Sequence, residues 1–267
     1  MREKLIQFAK ENKTVLCFGI DPDLQRIMVS LPAFPTKVAI EHFFSDILDK
    51  LIDENAIAAI KPNYAYFAQY GFDGLGALQT LMSNYKNKIP IILDVKRGDI
   101  GKSSEAYAKE AYDFWGADAV TVSPYMGSDS VLPFLREGKL AYVLCKTSNA
   151  GANDFQELRC EGKARVYEKV MEKAVEWGCG AVVGATSDSI RVLAKKTNGK
   201  VPFLIPGIGA QGGDLDMVLN AIKDYLPIHR INASSSIAYA FEKGGGAAEA
   251  ALREAETINK KIRKYNF

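Results

Sequence analysis

Four charged side chains crowd the end of one apolar run. In "IPIILDVKRGDIG" (89–101) the Ile, Leu and Val residues give way to Asp94, Lys96, Arg97 and Asp99. Side chains alternate along a strand, so Ile92, Asp94 and Lys96 share one face while Ile91, Leu93 and Val95 share the other. The second face is wholly apolar and suits contact with outer helices. The first carries a carboxylate and an ammonium to the point where the strand ends, and Asp99 follows in the loop. A second ammonium, Lys61, closes the run "AIAAIKP" (56–62) and follows Ala59 and Ile57 by the same alternation. Acids and amines partly removed from water are costly unless each has an opposite neighbour. Such arrays are where pKa values are shifted for function. Taken alone, D-x-K-x-x-D also arises on solvated strand ends, and a strand-end lysine often only reaches for water. What these residues do depends on the elements that position them.

Short strand-like runs recur along the whole chain: "TVLCFGI" (14–20), "AIAAIKP", "IPIILDV" (89–95), "ADAVTVS" (117–123), "LAYVLCK" (140–146), "CGAVVGA" (179–185), "VPFLIP" (201–206) and "IHRINAS" (228–234). They are near-continuous apolar segments, as expected for strands covered on both faces. Between most of them lie amphipathic stretches. "TKVAIEHFFSDILDKLIDEN" spaces Val38, Phe43, Ile47, Leu51 and Ile52 along one side. "SSEAYAKEAYDFWG" and "GKARVYEKVMEKAVEWG" each close at a glycine suited to a helix C-terminus. Repeating β–α units of this size predict an α/β fold, a (β/α)₈ TIM barrel, with a doubly wound open sheet as the competitor. No linker divides residues 1–267, so one domain is expected, and "EKGGGAAEA" (242–250) reads as the start of the last helix.

A barrel places its active site at the C-terminal ends of the strands. The polar residues closing each run are then Asp21, Lys61, the Asp94/Lys96/Asp99 group, "KTSNAGAND", "PGIGAQGGD" and "NASSSI". The chemistry gathers at one rim.

Composition narrows the function. The chain has 267 residues, 48% of them hydrophobic and 25% charged, with a formal net charge of +2. That balance gives no electrostatic footprint for nucleic acid. The apolar runs are strand-sized and the N-terminus lacks a signal-peptide core, so no membrane partner and a cytoplasmic location are expected. The four cysteines (Cys17, Cys145, Cys160 and Cys179) form no C-x-x-C pair and read as free thiols. The two histidines, His42 and His229, make no ligand-spaced cluster, which argues against zinc or non-haem iron and leaves a carboxylate magnesium site open.

"LDVKRGDIGKSSEAYA" resembles the signature of orotidine 5′-phosphate decarboxylases, in particular the second bacterial type. "CFGIDPD" (17–23), "AIKPNYAYF" (59–67), "KTSNAGANDFQ" (146–156) and "PGIGAQGGD" (206–214) fit the family pattern in order and spacing. The resemblance covers nearly the full chain. It implies a homodimeric barrel that converts orotidine 5′-monophosphate to UMP and carbon dioxide in pyrimidine biosynthesis, with no cofactor and no metal. Lys96 matches the lysine that protonates C6, and Asp94 and Lys61 its neighbours in the charged network. Asp99 matches the acid that reaches into the partner's site, and Ser103 the nearby hydroxyl. Asp21 matches a ribose ligand, Ser148 the serine that reads the pyrimidine edge, and Gln211 the mobile-loop residue that bridges base and phosphate.

One position departs from the pattern. Where the family delivers an arginine to the phosphate, the last strand here leads into Ser234, Ser235, Ser236 and Ile237, with Ser235 at the arginine's place. Serine hydroxyls and backbone N–H groups can hold a phosphate, but a bidentate cation is missing. Arg230 lies too deep in the same run to substitute easily. Two other readings stay open: a nucleotide-binding barrel without activity, and a metal-dependent barrel of the 3-keto-L-gulonate 6-phosphate decarboxylase kind. The latter wants a carboxylate where this chain has Lys61.

Overall fold

The computed structural model describes residues 1–185, 188–208 and 213–267. Among the described residues eight strands follow in order: β1 Leu16–Ile20, β2 Ala59–Pro62, β3 Ile92–Arg97, β4 Ala119–Val122, β5 Leu140–Lys146, β6 Gly180–Val183, β7 Phe203–Pro206 and β8 Arg230–Ala233. Their order is β2-β1-β8-β7-β6-β5-β4-β3, with each neighbouring pair parallel. The remaining junction, β2 to β3, is made by parallel bridges Ile60–Ile91 and Asn63–Asp94. The sheet therefore comes round on itself as a (β/α)₈ barrel, and the open doubly wound arrangement is ruled out.

Alternation along the strands sorts the apolar residues into two sets. Cys17, Ala59, Ile92, Ala119, Leu140, Tyr142, Val182 and Leu204 fill the barrel interior. Ile91, Leu93, Val120, Val143 and Ile231 belong to the larger cluster that includes the surrounding helices. Ile92 and Lys61 thus face inward as the alternation requires. Ile57 does not: it precedes β2 and packs in the outer cluster.

The helix Thr36–Asp53 buries Ala39, Ile40, Phe43, Phe44, Ile47, Leu48 and Leu51. Val38, expected on that stripe, is 38% exposed, so the buried face is rotated away from it. The segment after β3 starts earlier than its pattern suggested, as a helix Gly101–Lys109 that passes into a π-helical turn Glu110–Phe114. Helix Val166–Trp177 ends at Gly178, whose left-handed φ of 71° lets its N–H reach the Ala174 and Val175 carbonyls.

The lower end of the barrel is stoppered. Leu5, from the N-terminal helix Arg2–Asn12, joins the interior cluster. Arg230, fully buried, donates to the Leu5, Pro227 and His229 carbonyls. All four cysteines are free, and burial pushes the Cys17, Cys145 and Cys179 thiols up to about 12. Among the described residues no helix is long and apolar enough to cross a membrane.

Candidate active site

A cavity of about 560 Å³ opens at the C-terminal ends of the strands, with Asp21, Lys61, Asp94, Lys96, Ser148 and Ser235 among its lining residues. Its charged centre is built on one carboxylate. Asp94 Oδ2 accepts from Lys61 Nζ at 3.0 Å, and Oδ1 accepts from Lys96 Nζ at 2.7 Å and from Thr121 Oγ1 at 2.8 Å. Lys61 and Asp94 are only 5% and 8% exposed, whereas the Lys96 side chain is half open to solvent.

Burial alone would raise the Asp94 pKa. The charges of Lys61 and Lys96, with hydrogen bonds from Lys96 and Thr121, hold it well below the usual carboxylate range. For Lys61 burial works the other way and would neutralise the amine. The Asp94 carboxylate, with Asp21 and Cys17 behind it, outweighs that cost and keeps the pKa above its ordinary value. The pair is therefore ionised across the neutral range.

The backbone at this point is irregular. Leu93 pairs with Val120, but the next paired residue is Arg97, opposite Val122, so β3 bulges between them. Within the bulge Lys96 takes a left-handed φ of 47°, a conformation that costs a residue bearing a Cβ about 1–2 kcal/mol. Past the bulge, Arg97 is anchored by Glu110 at 2.9 Å and lies over the rings of Tyr64 and Tyr107.

From β5 round to β8 the described part of the wall is uncharged and mixes polar with apolar side chains. Ser234 and Ser235 line it after β8, and Ser148 lines it after β5. Gly19 makes room for Ser234, since a Cβ there would overlap the serine hydroxyl. Asp21 Oδ1, Asn232 Oδ1 and Ser236 Oγ, all on cavity-lining residues, have no hydrogen-bond partner among the described residues. Buried polar atoms rarely stay unpaired, so such atoms suit a site that receives polar ligand groups. Lys61 and Lys96 are the only cationic side chains among the described lining residues. The arginine missing at Ser235 is not replaced by Arg230, which is fixed at the far end of the barrel.

Two expected residues are not brought into this cavity. Asp99 lies beyond Arg97, with Oδ1 accepting from the Ile100 N–H at 2.8 Å. Ser103 is exposed on helix Gly101–Lys109. Neither lines the cavity of its own chain. Gln211, with Gly209 and Gly212, lies outside the described residues. Conversely, Thr121, Asn63 and Tyr66, with Asn232 at the head of "NASSSI", line the cavity with no individual role expected from the sequence. Thr121 and Asn232 were accessible to the rule that found Asp94, because each occupies an inward position two residues from another inward one. Among the described residues no three His, Cys, Asp or Glu side chains gather as metal ligands.

The sequence profile of the orotidine 5′-phosphate decarboxylase / HUMPS family matches residues 14–239. A protein of Herpetosiphon aurantiacus named orotidine 5′-phosphate decarboxylase is 39% identical over 262 residues, covering 96% of this chain and 95% of its own. One of the same name from Cupriavidus necator is 42% identical over 269 residues and covers 97% of both chains. The solved OMP decarboxylase of Leishmania donovani superposes with a TM-score of 0.80 at 34% identity, over 99% of this chain and 98% of that one. The matched span takes in every strand of the barrel and the relatives align nearly end to end: the chain belongs to the orotidine 5′-phosphate decarboxylase / HUMPS family.

Proposed function

We propose that the protein decarboxylates orotidine 5′-monophosphate to UMP in pyrimidine biosynthesis, as a cytoplasmic enzyme working without metal or organic cofactor. The observation that carries this reading is the buried Asp94 carboxylate held between the Lys61 and Lys96 ammonium groups at the mouth of the barrel, in a chain whose relatives bear that name.

Loss of carbon dioxide from C6 leaves an electron pair that no neighbouring carbonyl can delocalise well. Stabilisation must then come from fixed charge that favours the carbanion over the carboxylate. Lys96 is the group for that task. Its ammonium faces the cavity, is half open, and carries a proton that can pass to C6 as the C–C bond breaks. Asp94, kept anionic by its two partners, disfavours the substrate carboxylate beside it. Lys61, almost sealed from water, fixes Asp94 and offsets its charge.

Asp21 would take the ribose hydroxyls, Ser148 the pyrimidine edge, and Ser234 with Ser235 the phosphate, with Gln211 bridging base and phosphate. Asp99 and Ser103 would act in a partner's site, making the working unit a homodimer. Their place outside their own cavity supports this. So do Ile100, Tyr125, Met126, Phe155 and Leu158, all at least half exposed on the loops after β3, β4 and β5.

The test is to mix the protein with orotidine 5′-monophosphate and follow the ultraviolet change on conversion to UMP, with and without EDTA. Turnover indifferent to chelator is expected. Chelator-sensitive turnover would favour the metal-dependent barrel, and UMP binding without turnover the inactive one.

A further inference from the structure

We propose that Thr121 is a positioning residue: its hydroxyl, seated in the β3 bulge, ties the backbone of Lys96 to the carboxylate that the Lys96 ammonium grips. The activity arm of the test rests on the function proposed above.

Three contacts form a closed loop. The Lys96 backbone N–H donates to Thr121 Oγ1 at 3.0 Å, Thr121 Oγ1 lies 2.8 Å from Asp94 Oδ1, and Lys96 Nζ donates to that same oxygen at 2.7 Å. The hydroxyl proton has one place to go. A backbone N–H can only donate and an ionised carboxylate can only accept, so the hydroxyl accepts from Lys96 and donates to Asp94. Its direction is fixed, and with it the distance between the Lys96 backbone and the Asp94 oxygen.

That link matters because of where it sits. A bulge leaves a residue without its ladder partner, and here the ladder skips from Leu93–Val120 to Arg97–Val122, with Thr121 facing the gap. Both flanks are secured, Leu93 by burial in the outer cluster and Arg97 by Glu110. Lys96 alone is held in a left-handed conformation that its side chain disfavours. The Thr121 hydroxyl meets its N–H there, and Thr121 itself is buried at 1% exposure on a regular stretch of β4. A rigid strand thereby dictates the rotamer range of a half-open lysine.

Thr121→Val keeps the shape and removes the hydroxyl, and Thr121→Ser keeps the hydroxyl and removes the methyl. The expected result is a fall in kcat of at least about tenfold for Thr121→Val with KM within about twofold, and near-parent kcat for Thr121→Ser. If Thr121→Val does not fold, Thr121→Ala takes its place against Thr121→Ser on the same criteria. A crystal structure of the hydroxyl-free variant supplies a readout independent of any reaction: Lys96 is expected to leave the left-handed region. Should the parent chain fail to turn over orotidine 5′-monophosphate, the functional reading falls and this structural arm still decides the role of Thr121. Unchanged kcat without the hydroxyl, equal loss in Thr121→Ser, or Lys96 unmoved in the crystal would each overturn the proposal.

Discussion

Lys61 Nζ lies 3.0 Å from Asp94 Oδ2 with both side chains almost sealed from solvent. Lys96 holds the other oxygen of the same carboxylate from the open side. The carboxylate thus has a sealed partner below and a solvent-facing one above. Removing one member of a buried pair strands the other, which costs roughly 3–5 kcal/mol. Lys61→Met is expected to lose stability on that scale in urea denaturation. A loss below about 1 kcal/mol would mean that Lys96 satisfies Asp94 unaided.

Lys96, half open to solvent, is expected to bear on turnover far more than on folding. Lys96→Ala is expected to lower kcat by about 10³-fold or more, with a cooperative denaturation curve retained. Because the site's φ is 47°, Lys96→Gly should be about 1 kcal/mol more stable than Lys96→Ala while equally inactive. Substantial decarboxylation by either variant would remove the proposed proton donor.

Acid stability should be governed by His229 before the active-site pair. Burial first, then the charges of Arg230 and Arg2, lower its pKa to about 3 from 6.5, and its Nδ1 accepts from the Phe203 N–H. Between those values the unfolded chain binds a proton that the folded chain refuses, so stability falls as pH drops below 6.5, by up to about 1.4 kcal/mol per pH unit. Asp94, whose folded pKa is depressed, keeps its contribution above its ordinary 3.8 and loses it only in stronger acid. Lys61, whose pKa is raised, keeps its contribution below 10.5 and loses it at higher pH. His229→Asn, which keeps an acceptor, should flatten the slope between pH 6.5 and about 4; the same slope in the variant would assign it elsewhere.

Ser235→Arg is expected to lower KM for the phosphorylated substrate about tenfold, since a charge-assisted hydrogen bond is worth roughly 1.5–3 kcal/mol. An unchanged KM would mean that the phosphate already meets a cation.

If Asp99 serves the partner's site, the inactive Lys96→Ala and Asp99→Asn proteins should regain activity when mixed under subunit exchange. One site of each mixed dimer then receives an intact Lys96 and an intact Asp99. No recovery in a demonstrably mixed dimer would place Asp99 in its own chain's chemistry.

The barrel was legible because eight apolar runs reported strands buried on both sides, and alternation within "IILDVK" correctly turned Asp94 and Lys96 inward. Alternation failed at Ile57 because that residue precedes β2, and a period of two says nothing about where a strand begins. The bulge was invisible for a related reason. Its sign is a skipped partner on β4, a relation between two strands that a single run does not encode. The inward position of Thr121 is readable from the same alternation, but an uncharged hydroxyl among apolar neighbours carries no sequence mark of a polar cluster. Asp99 and Ser103 could be nominated by likeness alone, since neither lines the cavity of its own chain.

Among the described residues, Leu5 and the Arg230–Leu5 contact close the lower end of the barrel and leave open the mouth at the C-terminal ends of the strands. Orotidylate entering, UMP departing and the liberated gas would then share that mouth. A nucleotide filling that mouth would leave carbon dioxide facing the stoppered end, beside the newly formed C6–H, until the product moves.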